Sequence, residues 1–183
     1  DLRRGKASTH IRFGEATAVL AGNSLLTMAF EILSDHNLRL NEKIKIKLIK
    51  KLSECSGHSG IAGGQFLDLN FEKKIVSKRK IIEMEIKKTG KLFSFCCMAP
   101  AIVQNKDDKI INLMSKIGSD IGLLFQIADD LIDYKGSSKK AGKKTQKDSK
   151  KGKATLISSL GYKKTIEYSQ KIKNNIFKDL KKY

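Results

Sequence analysis

The sequence predicts an all-α protein, and three observations support this prediction. Its 183 residues include only one proline, so few positions would interrupt a long helix. Hydrophobic residues make up 40% of the chain. They recur at helical spacing in at least five segments, and no segment shows the alternation of a convincing strand. A chain of this length can bury a sizeable core. We therefore predict one helical domain over residues 1–183.

Two helices are predicted in the first part of the chain. The first covers residues 13–34, where apolar side chains recur every three or four positions. Asn41 is the predicted N-cap of the second, which runs to about residue 71 and is interrupted by small residues. Gly63 and Gly64 lie inside it, and a mid-helix glycine costs about 1 kcal/mol relative to alanine. Their presence suggests that another helix or a ligand approaches the backbone closely there.

Three further helices are predicted in the second part of the chain. One starts near residue 77 and ends before Pro100, because proline lacks the backbone N–H that a helix needs. The next begins near residue 106 and ends by Gly136, and the last spans residues 155–181. Residues 135–153 contain nine lysines and one aspartate, and we predict a mobile, strongly cationic loop there.

A run of acidic residues lies in the predicted helix that begins near residue 106. Asp129 and Asp133 are four residues apart, which puts both carboxylates on one face of a helix. Asp130 lies beside them, about 100° around the helix axis. No histidine or cysteine is close in sequence to complete a zinc site. Oxygen ligands favour magnesium, which often shares its coordination shell with substrate phosphates. The run therefore predicts a magnesium site for a phosphorylated substrate.

The charge and the cysteine content indicate which partners and which cellular compartment to expect. The net charge of +18 is compatible with binding to nucleic acid or anionic membranes. The lysines are spread along the predicted helices, however, and few aromatic residues lie among them to stack on bases. No apolar run of about 18 residues predicts a membrane span. The three cysteines lack metal-ligand spacing and suggest a reducing compartment, so we predict a cytoplasmic protein that does not bind nucleic acid.

Several short motifs resemble those of the trans-polyprenyl diphosphate synthases, the family of farnesyl and geranylgeranyl diphosphate synthases. They occur in the family's order along nearly the whole chain. The matching segments are residues 1–6, 21–26, 63–69, 88–90 and 125–133, followed by Gly142, Lys143, Asp148 and residues 153–155. One such motif is weak support, but five in the right order and spacing are strong support.

The resemblance implies a fold and an activity. The expected fold is an isoprenoid synthase-type helical bundle with a central apolar pocket. The expected enzyme is a short-chain prenyltransferase that condenses isopentenyl diphosphate with an allylic diphosphate, with farnesyl diphosphate as the favoured product. About three magnesium ions would neutralise the leaving diphosphate. The family also implies a homodimer.

The resemblance assigns roles to individual residues. Catalytic roles fall to Lys88, Thr89, Gln126 and Lys143. Substrate-binding roles fall to Arg3, Arg4, Gln65, Phe125 and Lys153. Magnesium-ligand roles fall to Asp129, Asp130 and Asp133.

The family's first aspartate-rich motif does not occur in this sequence, which keeps other functions open. By resemblance, that motif and the first helices belong just before Asp1, and the C-terminus also looks short. We therefore expect a partial domain, which would be inactive as it stands. The alternatives are a non-catalytic regulatory subunit related to prenyl synthases, and a class I terpene cyclase. Nonspecific binding to nucleic acid through the positive charge is a further alternative.

Overall fold

A computed structural model describes residues 2–3, 5–135 and 152–181 of the protein, and these residues are predominantly helical. The all-α prediction is therefore confirmed. The predicted cationic loop lies mostly outside the described residues. The helices are α1 (Thr9–Phe13), α2 (Glu15–Ser34), α3 (Glu42–Ser56), α4 (Ile61–Phe71), α5 (Lys78–Glu85), a π-helical turn (Ile86–Gly90), α6 (Lys91–Val103), α7 (Asp108–Lys135), α8 (Leu156–Leu160) and α9 (Tyr162–Leu180).

A short hairpin precedes the helices, so the expectation of no strand was wrong at this point. Strand β1 (Leu2–Arg3) pairs antiparallel with β2 (Lys6–Ala7), and Leu2 lies opposite Ala7. A strand of two residues is too short to show an alternating pattern, so periodicity cannot reveal it.

Two of the predicted helices are each divided in two. The predicted second helix becomes α3 and α4, and Asn41 caps α3 as expected, because its side chain accepts a hydrogen bond of 2.8 Å from the Lys43 amide. The predicted last helix becomes α8 and α9, separated by Gly161. The φ angle of Gly161 is 80°, a left-handed conformation that glycine adopts without a steric penalty.

The predicted third helix is longer than expected and contains an irregular turn. Helix α5 continues through the π-helical turn into α6, and α6 extends past Pro100 to Val103. The prediction that this helix ends before Pro100 was therefore wrong. Pro100 lies in the last turn of α6, and its missing N–H removes only one hydrogen bond. The helix ends three residues later, so this loss does not break it.

Two apolar cores hold the helices together. Helices α5, α7, α8 and α9 meet around Ile81, Ile127 and Leu156, which are almost fully buried. Helices α3, α6 and α7 meet around a second cluster that includes Leu48 and Ile102. Because α7 contributes to both cores, its position is fixed along most of its length, and it forms one wall of the candidate site described below.

Among the residues that the structure describes, two helices are long and apolar enough to cross a membrane by length and composition alone. They are α2, of which no residue is buried, and α7, of which a third of the apolar window is buried. Core helices of soluble proteins pass the same test, so this is weak evidence. The absence of a membrane span and the cytoplasmic location stay predictions.

Candidate active site

A small pocket with a cavity volume of about 20 Å³ lies between α4, α5, the π-helical turn, α7 and the segment that leads into α8. Seven of its nine lining residues have polar side chains, and the other two are a methionine and an alanine. The pocket brings together four residues predicted from the sequence to be functional, together with others that were not assigned a role. Its lining consists of Asp68, Met84, Glu85, Lys88, Gln126, Asp130, Lys153, Ala154 and Thr155.

Helix α4 approaches the π-helical turn so closely that only glycine fits at the contact. A Cβ atom on Gly64 would collide with the backbone of Lys88 and of Lys87. The close approach predicted from the paired glycines is thus confirmed for Gly64, and the neighbouring element is the π-helical turn. The contact brings Asp68, one turn further along α4, next to the side chain of Lys88.

Lys88 and Asp68 form an ion pair in the pocket. The Lys88 Nζ donates to Asp68 Oδ2 at 2.5 Å, and Asp68 is buried while Lys88 is half-buried. Lys87 instead donates to Glu83 on the outer face of the helix. Lys88 therefore lines the pocket, and its catalytic role stays a prediction. A cation held by a buried carboxylate is well placed to bind a phosphate oxygen as well.

A hydrogen-bond chain connects the π-helical turn to the acidic run on α7. The Thr89 hydroxyl donates to Gln126 Oε1 at 3.2 Å, and Gln126 Nε2 donates to Asp130 Oδ1 at 2.9 Å. Thr89 and Gln126 are both predicted catalytic residues, and the chain fixes the orientation of the amide between them. Gly122 supports the same contact, because a Cβ atom there would lie 2.6 Å from Gly90 Cα.

Glu85 is a buried acid in the pocket that we did not predict as functional. It is 2% exposed, and its Oε2 has no hydrogen-bond partner among the described residues. Burial, reinforced by the negative charges of Asp130 and Asp68, raises the pKa of Glu85 to about 9, against the opposing effect of Lys88. Glu85 is therefore protonated at neutral pH. Its spacing of four residues from the apolar Ile81 was the sequence signal that it faces inward.

The three aspartates predicted to bind magnesium all lie near the C-terminal end of α7. Asp130 and Asp133 are buried, and Asp129 is half-buried. Their donors are carboxylate oxygens, which suit magnesium. Within the described ranges, no group of three acidic, histidine or cysteine side chains converges into a complete cation site. The residues therefore fit one side of a magnesium site, and water and phosphate oxygens would complete the coordination shell.

The described residues that line the pocket do not include five further predicted substrate-binding and catalytic residues. Gln65 is exposed on α4, and Phe125 is exposed on α7, with its ring centroid 5.6 Å from that of Phe93. Arg4 and Lys143 lie outside the described residues. For Arg3 the structure describes the backbone, as part of β1, but not the side chain. The roles assigned to these five residues stay predictions.

Comparison with known proteins agrees with the family resemblance of the sequence motifs. The family model for polyprenyl synthetase matches residues 1–182. The farnesyl diphosphate synthase of Micrococcus luteus is 40% identical over 175 residues, covering 96% of this chain and 58% of that protein. The farnesyl diphosphate synthase of Escherichia coli is 37% identical over 163 residues, covering 88% and 54% of the two chains.

A solved structure of similar fold is a geranyltransferase from Helicobacter pylori in complex with magnesium and isoprenyl diphosphate. It has a TM-score of 0.88 and 34% identity to this chain, with coverage of 98% of this chain and 58% of that one. These matches confirm the predicted helical-bundle fold class. The chain spans somewhat more than half the length of the relatives it matches.

Proposed function

This chain belongs to the polyprenyl synthetase family, and we propose that the protein is a short-chain trans-prenyl diphosphate synthase. It would condense isopentenyl diphosphate with an allylic diphosphate, and farnesyl diphosphate is the favoured product. One observation carries the proposal. The pocket is lined by two lysines, Lys88 and Lys153. It is also lined by the amide of Gln126 and by Asp130, at the acidic end of α7. Cations beside carboxylates form a site that can hold a diphosphate together with its metal ions.

The proposed reaction breaks one bond and forms another. The allylic C–O bond breaks, and diphosphate leaves with the electron pair. The double bond of isopentenyl diphosphate attacks the allylic cation and forms a C–C bond, and a proton is then lost. The difficult step is the separation of charge, so the enzyme accelerates it by stabilising the leaving diphosphate.

The pocket residues would divide this work. Lys88 and Lys153 would donate charge-assisted hydrogen bonds to the diphosphate oxygens. Asp68 holds Lys88 in position through their ion pair. Thr89 and Gln126, which are hydrogen-bonded to each other, would face the allylic cation and the proton that is lost after the C–C bond forms. The exposed ring of Phe125, which is tilted against that of Phe93 with 5.6 Å between the centroids, would border the apolar chains.

Magnesium fits this site as the resident cofactor. Asp129, Asp130 and Asp133 would hold it from the α7 side, and when bound it neutralises the charge that develops on the diphosphate. Two solved relatives are complexes of isoprenyl diphosphate with magnesium or with calcium. We propose about three ions, the number that the family resemblance implies.

The test is an assay of the protein from its complete coding sequence with isopentenyl and geranyl diphosphates. We expect a magnesium-dependent C15 product. Lys88→Gln should reduce kcat at least a hundredfold, because it removes the charge that faces the leaving group. Lys87→Gln is the matched control, since Lys87 pairs with Glu83 outside the pocket, and it should stay within twofold of wild type. Failure of the wild-type protein to form any prenyl product would refute the synthase proposal and leave the regulatory-subunit alternative.

We also propose that the protein forms a homodimer. Helix α2 exposes a row of large apolar side chains, and none of its residues is buried. Exposed apolar surface of this extent is typical of a protein–protein interface. Light scattering during size-exclusion chromatography tests the proposal. The expected result is a mass of two chains, and a single-chain mass for Leu25→Glu.

A further inference from the structure

A turn outside the pocket contains an unusual backbone contact. Lys73, just after α4, adopts a left-handed conformation with φ of 59°, which costs a non-glycine residue about 1–2 kcal/mol. Its amide donates a hydrogen bond of 2.7 Å to the carbonyl of Gly152, which is itself left-handed with φ of 65°. The two residues are 79 positions apart in the sequence, so this contact joins distant segments. A strained conformation persists where surrounding structure requires it.

Gly152 precedes Lys153, one of the two lysines of the pocket. The segment is also held on its other side. Ala154 and Leu156 are buried in the apolar core, and Thr155 caps α8 through reciprocal hydrogen bonds with Ser158. The residues directly before and after Lys153 are therefore both held in place. On the N-terminal side of Lys153, the Lys73 N–H donates to the Gly152 carbonyl at 2.7 Å.

The same helix also positions the second lysine of the pocket. Near its start, Gly64 packs against the backbone of Lys88, and one turn later Asp68 binds the Lys88 ammonium group. At its end, α4 leads directly into the turn that holds Gly152. Contacts with α4 and the turn after it therefore hold both Lys88 and Lys153 in position. The separation of the two cations matters for the reaction, because a misplacement of about 1 Å can slow catalysis about a hundredfold.

We propose that the Lys73–Gly152 backbone contact is a positioning device that sets Lys153 opposite Lys88 for diphosphate binding. Lys73 acts through its backbone N–H rather than through its charge. This inference rests on the proposed function, since it assumes that the pocket binds a diphosphate. The inference gives a role to the turn after α4. This turn lies outside the pocket and contains none of the residues to which a role has been assigned.

The experiment measures the Kd of inorganic diphosphate by calorimetry in the presence of magnesium, using the complete protein. Lys73→Pro removes the N–H and cannot adopt a positive φ, so it should raise the Kd about tenfold, as should Lys153→Ala. Lys74→Ala removes the same charge from the same turn without touching Gly152, and it should stay within twofold of wild type. The double variant Lys73→Pro/Lys153→Ala should bind no more weakly than Lys153→Ala alone, because the two changes remove one interaction.

A wild-type Kd for Lys73→Pro, or additive losses in the double variant, would overturn the inference while leaving the proposed function intact. Circular dichroism establishes whether Lys73→Pro folds. If it does not, Gly152→Ala carries the test, because its Cβ would be strained at positive φ and would lie 3.1 Å from Lys73 Cγ. Full affinity in Gly152→Ala would then overturn the inference. If the wild-type protein itself does not bind magnesium diphosphate, the proposed function fails and the inference falls with it.

Discussion

Replacing the buried Glu85 by glutamine should change how the stability of this protein depends on pH. The pKa of the Glu85 carboxyl is 4.5 in an ordinary environment, and burial beside Asp130 and Asp68 raises it to about 9 in the folded protein. Between these values the folded chain retains a proton that the unfolded chain releases. The contribution of Glu85 to stability is therefore fully present below pH 4.5 and is lost as pH rises towards 9.

The size of the effect follows from the same values. One pKa unit corresponds to about 1.4 kcal/mol, so the wild-type free energy of unfolding should fall by roughly 3 kcal/mol relative to the variant between pH 6 and pH 8. Glutamine resembles the protonated carboxyl in shape but has no proton to release in this range. At pH 8 the Glu85→Gln protein should therefore be the more stable of the two.

Urea unfolding of both proteins at pH 6, 7 and 8, without magnesium, measures this difference directly. Glu83→Gln is the matched control. Glu83 lies two residues away on α5, is exposed and pairs with Lys87, which lowers its pKa. The difference in free energy of unfolding between wild type and Glu83→Gln should not change over this pH range. A flat difference for Glu85→Gln as well, within about 0.5 kcal/mol, would show that Glu85 is ionised in the folded protein and would refute the argument.

Three further predictions concern the framework and the metal side of the site. Gly64→Ala should lower the free energy of unfolding by about 2 kcal/mol or more, because its Cβ would collide with the Lys88 backbone. Gly22→Ala on the exposed face of α2 is its control in urea unfolding and should be neutral or stabilising by up to about 1 kcal/mol. Lys73→Gly should raise the melting temperature in calorimetry, since glycine relieves the left-handed strain; a lower melting temperature would contradict this account of the turn. Asp130→Asn should reduce the magnesium-dependent rate at least a hundredfold, and an unchanged magnesium titration would exclude Asp130 as a ligand.

The sequence predicted the helical elements well because their apolar spacing is a local property. The α3 N-cap at Asn41 was predicted for the same reason, since capping depends on residues within one turn. The boundaries that were wrong depend on less local causes. Helix α6 continues through Pro100 because Ala101 and Ile102, which follow the proline, are buried in the second core.

The candidate site was predictable in part. The family motifs identified Lys88 and Gln126, and the structure brings both to the pocket. Gly64 predicted a close approach, but local sequence did not indicate that the partner is the π-helical turn. Glu85 was missed because its burial results from α4 and α7 packing over α5, a tertiary effect that its favourable spacing from Ile81 only suggested.

The most direct test of the central claim is a crystal structure of the complete protein with magnesium and inorganic diphosphate. The account predicts diphosphate oxygens within hydrogen-bond distance of Lys88 and Lys153. It also predicts magnesium between the diphosphate and Asp129, Asp130 or Asp133. Diphosphate bound away from Lys88 and Lys153, or metal ions that do not contact the acidic end of α7, would contradict it.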